Sequence, residues 1–142
     1  MNKIILSLLF LLCAQSAQAQ TTAPYPSIKP PVIPGRIFRI TDYGAVGDGK
    51  TLNTRALQAI LDACSAVGGG RVDVPPGRFL TGPLTLKSNL NLHLEKDATI
   101  LLSGNEADYA LTRGRYQQCI EAKDGHDIAI TGSGTIDGQG GS

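Results

Sequence analysis

The 142-residue chain has no tryptophan, one methionine (Met1), and aromatic residues at only 5% of its length. A core built here must therefore be aliphatic, and there is no aromatic interleaving of the kind that stacks nucleic-acid bases. Charge of one sign is also missing. Thirteen basic residues face 12 acidic ones, and setting aside Lys3 leaves the rest balanced. That excludes the basic footprint of a nucleic-acid binder, and a polyanion would have to be held by a local cluster rather than by the overall field. No apolar run reaches the roughly 20 residues that span a bilayer, so no membrane span is expected. Cysteine is scarce as well: Cys13, Cys64 and Cys119 do not make a disulfide scaffold.

Positions 1–19 read as a targeting leader. Lys3 supplies the positive end, Ile4 to Leu12 the short apolar run, and Ala17 and Ala19 the small residues before a cut at Gln20. This pattern predicts a signal peptide over 1–19 and a secreted or periplasmic protein. Cys13 follows Leu12, a poor setting for lipidation. Residues 20–35 carry Pro24, Pro26, Pro30, Pro31 and Pro34 and read as an extended linker. The foldable part is then 36–142, about the size of one modest domain. An oxidising compartment permits a Cys64–Cys119 bridge. Two buried free thiols are the simpler expectation, and both options stay open.

One helix is expected, over Thr54 to Val67. Leu57, Ile60, Leu61, Cys64 and Val67 recur at three- and four-residue spacing. Asn53 or Thr51 is placed to cap its start, and Gly68, Gly69 and Gly70 end it. After Gly70 only short strands follow: Arg71–Val74, Leu84–Lys87, Leu90–Leu94, Thr99–Leu102, Ile120–Ala122, Asp127–Thr131 and Gly134–Asp137. Leu90, Leu92 and Leu94 alternate with Asn91 and His93, which predicts one buried face. Short strands at coil-like intervals of about 20–25 residues suggest an all-β parallel β-helix. A hairpin sandwich is the competitor, kept open by Asp124-Gly125 and Asp137-Gly138. Leu111 to Gln118 reads as an irregular protruding loop.

Several residues invite a chemical role. Gly44 to Thr51 (GAVGDGKT) satisfies the phosphate-loop pattern, with Lys50 and Thr51 as the lysine and hydroxyl. The helix, however, begins after both, and no second helix follows to build the alternating α/β sheet such a site needs. Gly44, Gly47 and Gly49 are better read as turn glycines and Lys50 as a surface charge. Glu95 with Asp97, and Asp124 with Asp127, are carboxylate pairs at turns, where aspartate bonds nearby backbone amides. His93 and His126 lack the companion ligands of a zinc site, and Asp42 to Asp48 lacks the spacing of a calcium loop. Arg113, Arg115 and Lys123 could meet a polyanion or simply be solvated.

Three segments together resemble a known family: TDYGAVGDGKTLNTRALQAILDAC, then GGGRVDVPPGRFLTGPLTLKSNLNLHLEKDATILLS, then DIAITGSGTIDGQG. They are similar to the N-terminal third of polygalacturonase-like glycoside hydrolases, the family 28 pectinases, from about Phe38 to Gly140. The first segment is shared by other β-helix proteins, including some lyases and tailspikes. The pairing of the second with the third is more particular. The resemblance implies a right-handed parallel β-helix whose N-terminal end is covered by the Thr54–Val67 helix. It implies hydrolysis of α-linked galacturonan in pectin with inversion, without a cofactor or metal. In that family the acid–base carboxylates lie in an Asn-Thr-Asp motif and an Asp-Asp pair, assisted by a Gly-His-Gly histidine and an Arg-Ile-Lys motif. None of these occurs here up to Ser142, so no catalytic residue is carried over, Asp137 included. The expectation is an N-terminal portion, inactive and self-associating when isolated. The alternatives are a non-catalytic polysaccharide-binding β-helix piece and a polysaccharide lyase or tailspike-type β-helix.

Overall fold

The computed structural model describes residues 27–140; the leader and the first part of the proline-rich segment lie outside them. Residues 27–34 form no helix or strand, and Val32 N–H donates to Asp127 Oδ1 at 3.0 Å. Twelve strands and one α-helix follow among the described residues. The strands are β1 (Ile37–Arg39), β2 (Asp48–Leu52), β3 (Gly70–Val74), β4 (Gly77–Thr81), β5 (Leu84–Leu86), β6 (Leu90–Leu94), β7 (Ala98–Leu102), β8 (Leu111–Thr112), β9 (Arg115–Tyr116), β10 (Ile120–Ala122), β11 (Ile128–Gly132) and β12 (Thr135–Asp137). The helix α1 spans Thr54–Ala66.

Strands from successive coils stack in parallel on three faces. One face runs β1-β3-β6-β11, the second β2-β4-β7-β12 and the third β5-β10. This is a right-handed parallel β-helix with four coils on its first face, as the sequence led us to expect. Val72 pairs with Leu92 and Phe79 with Ile100, so a plain coil takes about 20 residues, at the short end of solenoid repeats. Leu92 next pairs with Ile130, nearly twice as far along the chain, because an insertion interrupts that coil.

The core is aliphatic and stacked. Val72, Val74, Leu84, Leu86, Leu90, Leu92, Leu94 and Ile100 all point inward, and Phe79 is the one large aromatic buried among the described residues. Leu90, Leu92 and Leu94 are buried while Asn91 and His93 stay half-exposed, the alternation of a strand with one dry face. Corners take left-handed backbone at Asn89, Asp97, Asp124 and Asp127, residue types that tolerate it. The carboxylates suspected as catalytic pairs thus occupy turns. Gly132, at φ 103°, is different. A Cβ there would overlap the Leu94 backbone carbonyl, so the Ile-Thr-Gly-Ser-Gly segment permits one coil to lie directly on the last.

The helix α1 lays Leu57, Ile60, Leu61 and Cys64 on the first coil. Val67, assigned to the same stripe from spacing, is exposed, because the helix ends one residue earlier and Gly68 turns the chain away. Neither Asn53 nor Thr51 caps the helix through its side chain. Asn53 is 2% exposed and instead clamps the preceding loop. Its Oδ1 accepts from Val46 N–H at 2.7 Å, and its Nδ2 donates to the carbonyls of Val46 (2.9 Å), Thr51 (2.8 Å) and Leu80 (3.3 Å).

Two further expectations are corrected. The segment 111–118 is not irregular: β8 and β9 form an antiparallel hairpin, with Thr112 opposite Arg115. Arg113 and Gly114 take φ 53° and 75°, the two positive values of a tight hairpin turn. The Asp-Gly pair at 124 sits instead at the corner between β10 and β11, and the pair at 137 at the end of β12, both in strands that pair in parallel. Among the described residues both cysteines are free, Cys64 buried and Cys119 exposed, so burial holds for only one of these two thiols.

Candidate functional site

The loop resembling a phosphate site is already occupied by its own carboxylate. Asp48 Oδ1 accepts from Lys50 N–H (2.8 Å) and Thr51 N–H (2.7 Å), and Oδ2 accepts from the Thr51 hydroxyl (2.7 Å). These bonds hold the Asp48 carboxyl at a pKa of about 2, below its ordinary 3.8. Lys50 and Thr51 lie in β2, ahead of the helix, and among the described residues no other α-helix exists. The amides a phosphate would need are already engaged.

The remaining flagged residues do not converge. His93 Nδ1 lies 2.9 Å from Thr131 Oγ1, in a polar ladder on the outer first face where Thr131 Oγ1 donates to Asn91 Oδ1 at 2.8 Å. On the same face Arg71 Nε stands 2.7 Å from Asp73 Oδ1. His126 pairs with Asp127 at 3.0 Å and both stay on the surface. Asp127 is held below the usual carboxylate range, first by Val32 N–H and then by His126. Asp137 is exposed and accepts from Gln139 N–H. Glu95 and Asp97 bracket a corner. Among the described residues no group of three or more His, Cys, Asp or Glu could hold a metal ion, and no helix is long and apolar enough to cross a membrane.

Concavity appears on the third face, where the inserted hairpin leans over β10. A cavity of about 510 Å³ opens between them, lined by Arg115, Tyr116, Gln117, Gln118, Glu121 and Lys123 among others. Glu121 is fixed from below by the Thr85 hydroxyl at 3.2 Å, and Tyr116 donates to Glu106 at 2.7 Å. A smaller, more apolar hollow of about 240 Å³ lies behind the hairpin, lined by Tyr109, Tyr116 and Cys119. Tyr109 donates to the Ser103 carbonyl at 2.8 Å. Burial and then the Cys119 thiol push the Tyr109 phenol up to about 12. Of the residues flagged from sequence, only Arg115 and Lys123 meet in a cavity. Gln117, Gln118 and Glu121 carry no signal in the sequence, because nothing but the hairpin fold brings them together.

Residues 37–108 match the model of the family described as rhamnogalacturonase A/epimerase, pectate lyase-like. The chain belongs to this family. Within the rhamnogalacturonase A/epimerase family some of its relatives are polygalacturonases by name and others are mannuronan C5-epimerases of Azotobacter vinelandii. It is 42% identical over 121 residues to an exo-poly-alpha-D-galacturonosidase of Dickeya chrysanthemi, covering 74% of this chain and 20% of that protein. Among solved structures, the hyperthermoactive exopolygalacturonase from Thermotoga maritima superposes with a TM-score of 0.71 at 39% identity, over 78% of this chain and 27% of that one. A family 28 exopolygalacturonase of Yersinia enterocolitica gives 0.65 at 39%, over 74% and 21%. The resemblance to polygalacturonase-like hydrolases drawn from the sequence is borne out, and the chain spans about a quarter of the length of these relatives.

Proposed function

We propose that residues 36–142 are the opening coils of a secreted or periplasmic glycoside hydrolase that cuts α-linked galacturonan in pectin with inversion. The observation that carries this is the 42% identity to an exo-poly-alpha-D-galacturonosidase across three quarters of the chain, joined to a matching β-helix at 39% identity. Inversion needs one carboxylic acid on the leaving oxygen and a second carboxylate holding water on the opposite face of the sugar, about 6.5–9.5 Å away. No pair among the described residues is assigned that work. The coils from β3 to β12 serve as scaffold and as one wall of the substrate cleft. No cofactor enters the reaction, and the polysaccharide itself is the partner.

The test is a chimera. The equivalent coils of the Thermotoga maritima exopolygalacturonase are replaced by residues 36–142, and products from polygalacturonate are followed by NMR. Galacturonate released first as the inverted anomer supports the reading; unsaturated uronides would move it to a lyase. The 142-residue chain alone is expected to release no reducing ends and to self-associate. β10, β11 and β12 each pair on one side only, with Ile130 and Ile136 exposed on the last coil, and such edges recruit other strands. A monodisperse monomer that releases reducing ends from polygalacturonate would overturn both statements.

A further inference from the structure

The third face has a feature that scaffold alone does not require. A plain coil of this stack closes in about 20 residues. The coil carrying β10 runs from Leu84 to its partner Ile120, well over half as long again. The added chain is not slack. It folds as the β8–β9 hairpin and is tied down at its base, where Gln117 N–H donates to the Ala110 carbonyl at 2.9 Å and Tyr116 reaches Glu106. The result is a folded overhang above β10.

The cavity under it holds two cations, Arg115 from β9 and Lys123 just past β10, against one carboxylate, Glu121. Glu121 already accepts from Thr85. Among the described residues neither Arg115 nor Lys123 has a carboxylate partner within ion-pair distance. With two cations to one carboxylate the hollow keeps an excess of positive charge, an arrangement that favours an incoming anion. Gln117 and Gln118 add amides that both donate and accept, which suits sugar hydroxyls. Tyr116 adds a ring whose hydroxyl is engaged elsewhere, leaving its face for an apolar sugar edge. At about 510 Å³ the cavity is within the range of small-ligand sites.

From this we infer that the hairpin cavity is a subsite for one uronate residue of the polysaccharide, its carboxylate held between Arg115 and Lys123 and its hydroxyls by Gln117 and Gln118. The inference rests on the galacturonan reading for the identity of the sugar, and on the cavity alone for its charge. Arg115, whose guanidinium can meet a carboxylate with two parallel N–H groups, selects the acid; Lys123 adds a mobile point charge.

The experiment measures binding of trigalacturonate, and of its fully methyl-esterified form, to the 142-residue chain by calorimetry at low and high salt. The acid is expected to bind at least tenfold tighter than the ester, with the difference shrinking as salt rises. R115Q and K123Q should each weaken the acid about tenfold and leave the ester unchanged, while R115K recovers part of the loss. Equal binding of acid and ester, or an R115Q/K123Q double variant that binds the acid like wild type, would overturn the subsite. These outcomes separate from the functional reading. A chimera active on polygalacturonate beside an indifferent double variant removes the subsite only. Acid binding that needs Arg115, beside a chimera yielding unsaturated uronides, removes hydrolysis and keeps the subsite.

Discussion

Replacing Asn53 separates two structural roles that the same residue could play. As a conventional helix cap it would tolerate aspartate or serine, which cap as well as asparagine does. As the clamp seen here, it offers one acceptor to Val46 N–H and two donor hydrogens to three carbonyls. Asn53→Ala removes these bonds. Leu80 keeps the Asn53 backbone N–H at 2.8 Å, and Val46 and Thr51 are exposed enough to be rehydrated. Three good bonds at about 1 kcal/mol net each then give a loss of about 2–3 kcal/mol. Asn53→Asp keeps the acceptor but turns a carboxylate toward three carbonyl oxygens at a buried position, so it should cost more than alanine, by about 1 kcal/mol or more. Urea unfolding followed by far-UV circular dichroism, at a concentration where association is controlled, reads both. An aspartate variant as stable as wild type would restore the capping role and refute the clamp; an alanine variant within about 0.5 kcal/mol of wild type would refute both.

Gly132→Ala should prevent β11 from stacking on β6. The new Cβ meets the Leu94 carbonyl backbone and φ is 103°, so amide exchange should lose protection in β11 while α1 keeps its own; unchanged protection would refute the close stacking. The Asp48 carboxyl should titrate with a midpoint of about 2 by carbon-detected NMR, and Thr51→Val, which deletes one of its donors, should raise it. Because the folded value lies below the ordinary 3.8, the stabilisation is complete above about pH 4 and disappears as pH falls through 2. A midpoint near 3.8 would mean the amides are not bound to it.

The parts of this fold legible in the sequence are those where apolar periodicity speaks alone. Leu90, Leu92 and Leu94 declare a strand with one dry face, and the stripe on α1 declares a helix with one buried side. β4 escapes that reading because Gly77, Arg78 and Thr81 give no alternation; the inward Thr81 is 0% exposed with its hydroxyl bonded to Thr54 and the Gly82 carbonyl. β2 reads as turn because its residues are nearly all exposed, and parallel pairing to β4 leaves no mark on composition. The hairpin hides for a related reason. Arginine rarely takes φ above zero, so Arg113-Gly114 does not announce a two-residue turn, and the cavity that depends on it cannot be assembled from residue types. The exposure of Cys119 is hidden with it, since it is set by the hairpin at its side.

Gln58 gives the stack a direction. On the third face, β5 has β10 on one side and no strand on the other. There the Gln58 carboxamide takes a strand's place, donating to the Thr85 carbonyl (3.2 Å) and accepting from Thr85 N–H (3.0 Å). One side chain thus supplies the donor and acceptor of an absent neighbour, on the end of the coil that leaves the ribosome first. Synthesis then proceeds away from an end whose third face is already closed, and each new coil finds strands one turn behind it. The hairpin nearly doubles one such step, Leu92 to Ile130 against Val72 to Leu92. Lengthening a loop twofold costs only about 0.6 kcal/mol in closure entropy. A β-helix assembled in this order can carry a long insertion on one face while hardly delaying the coil that bears it.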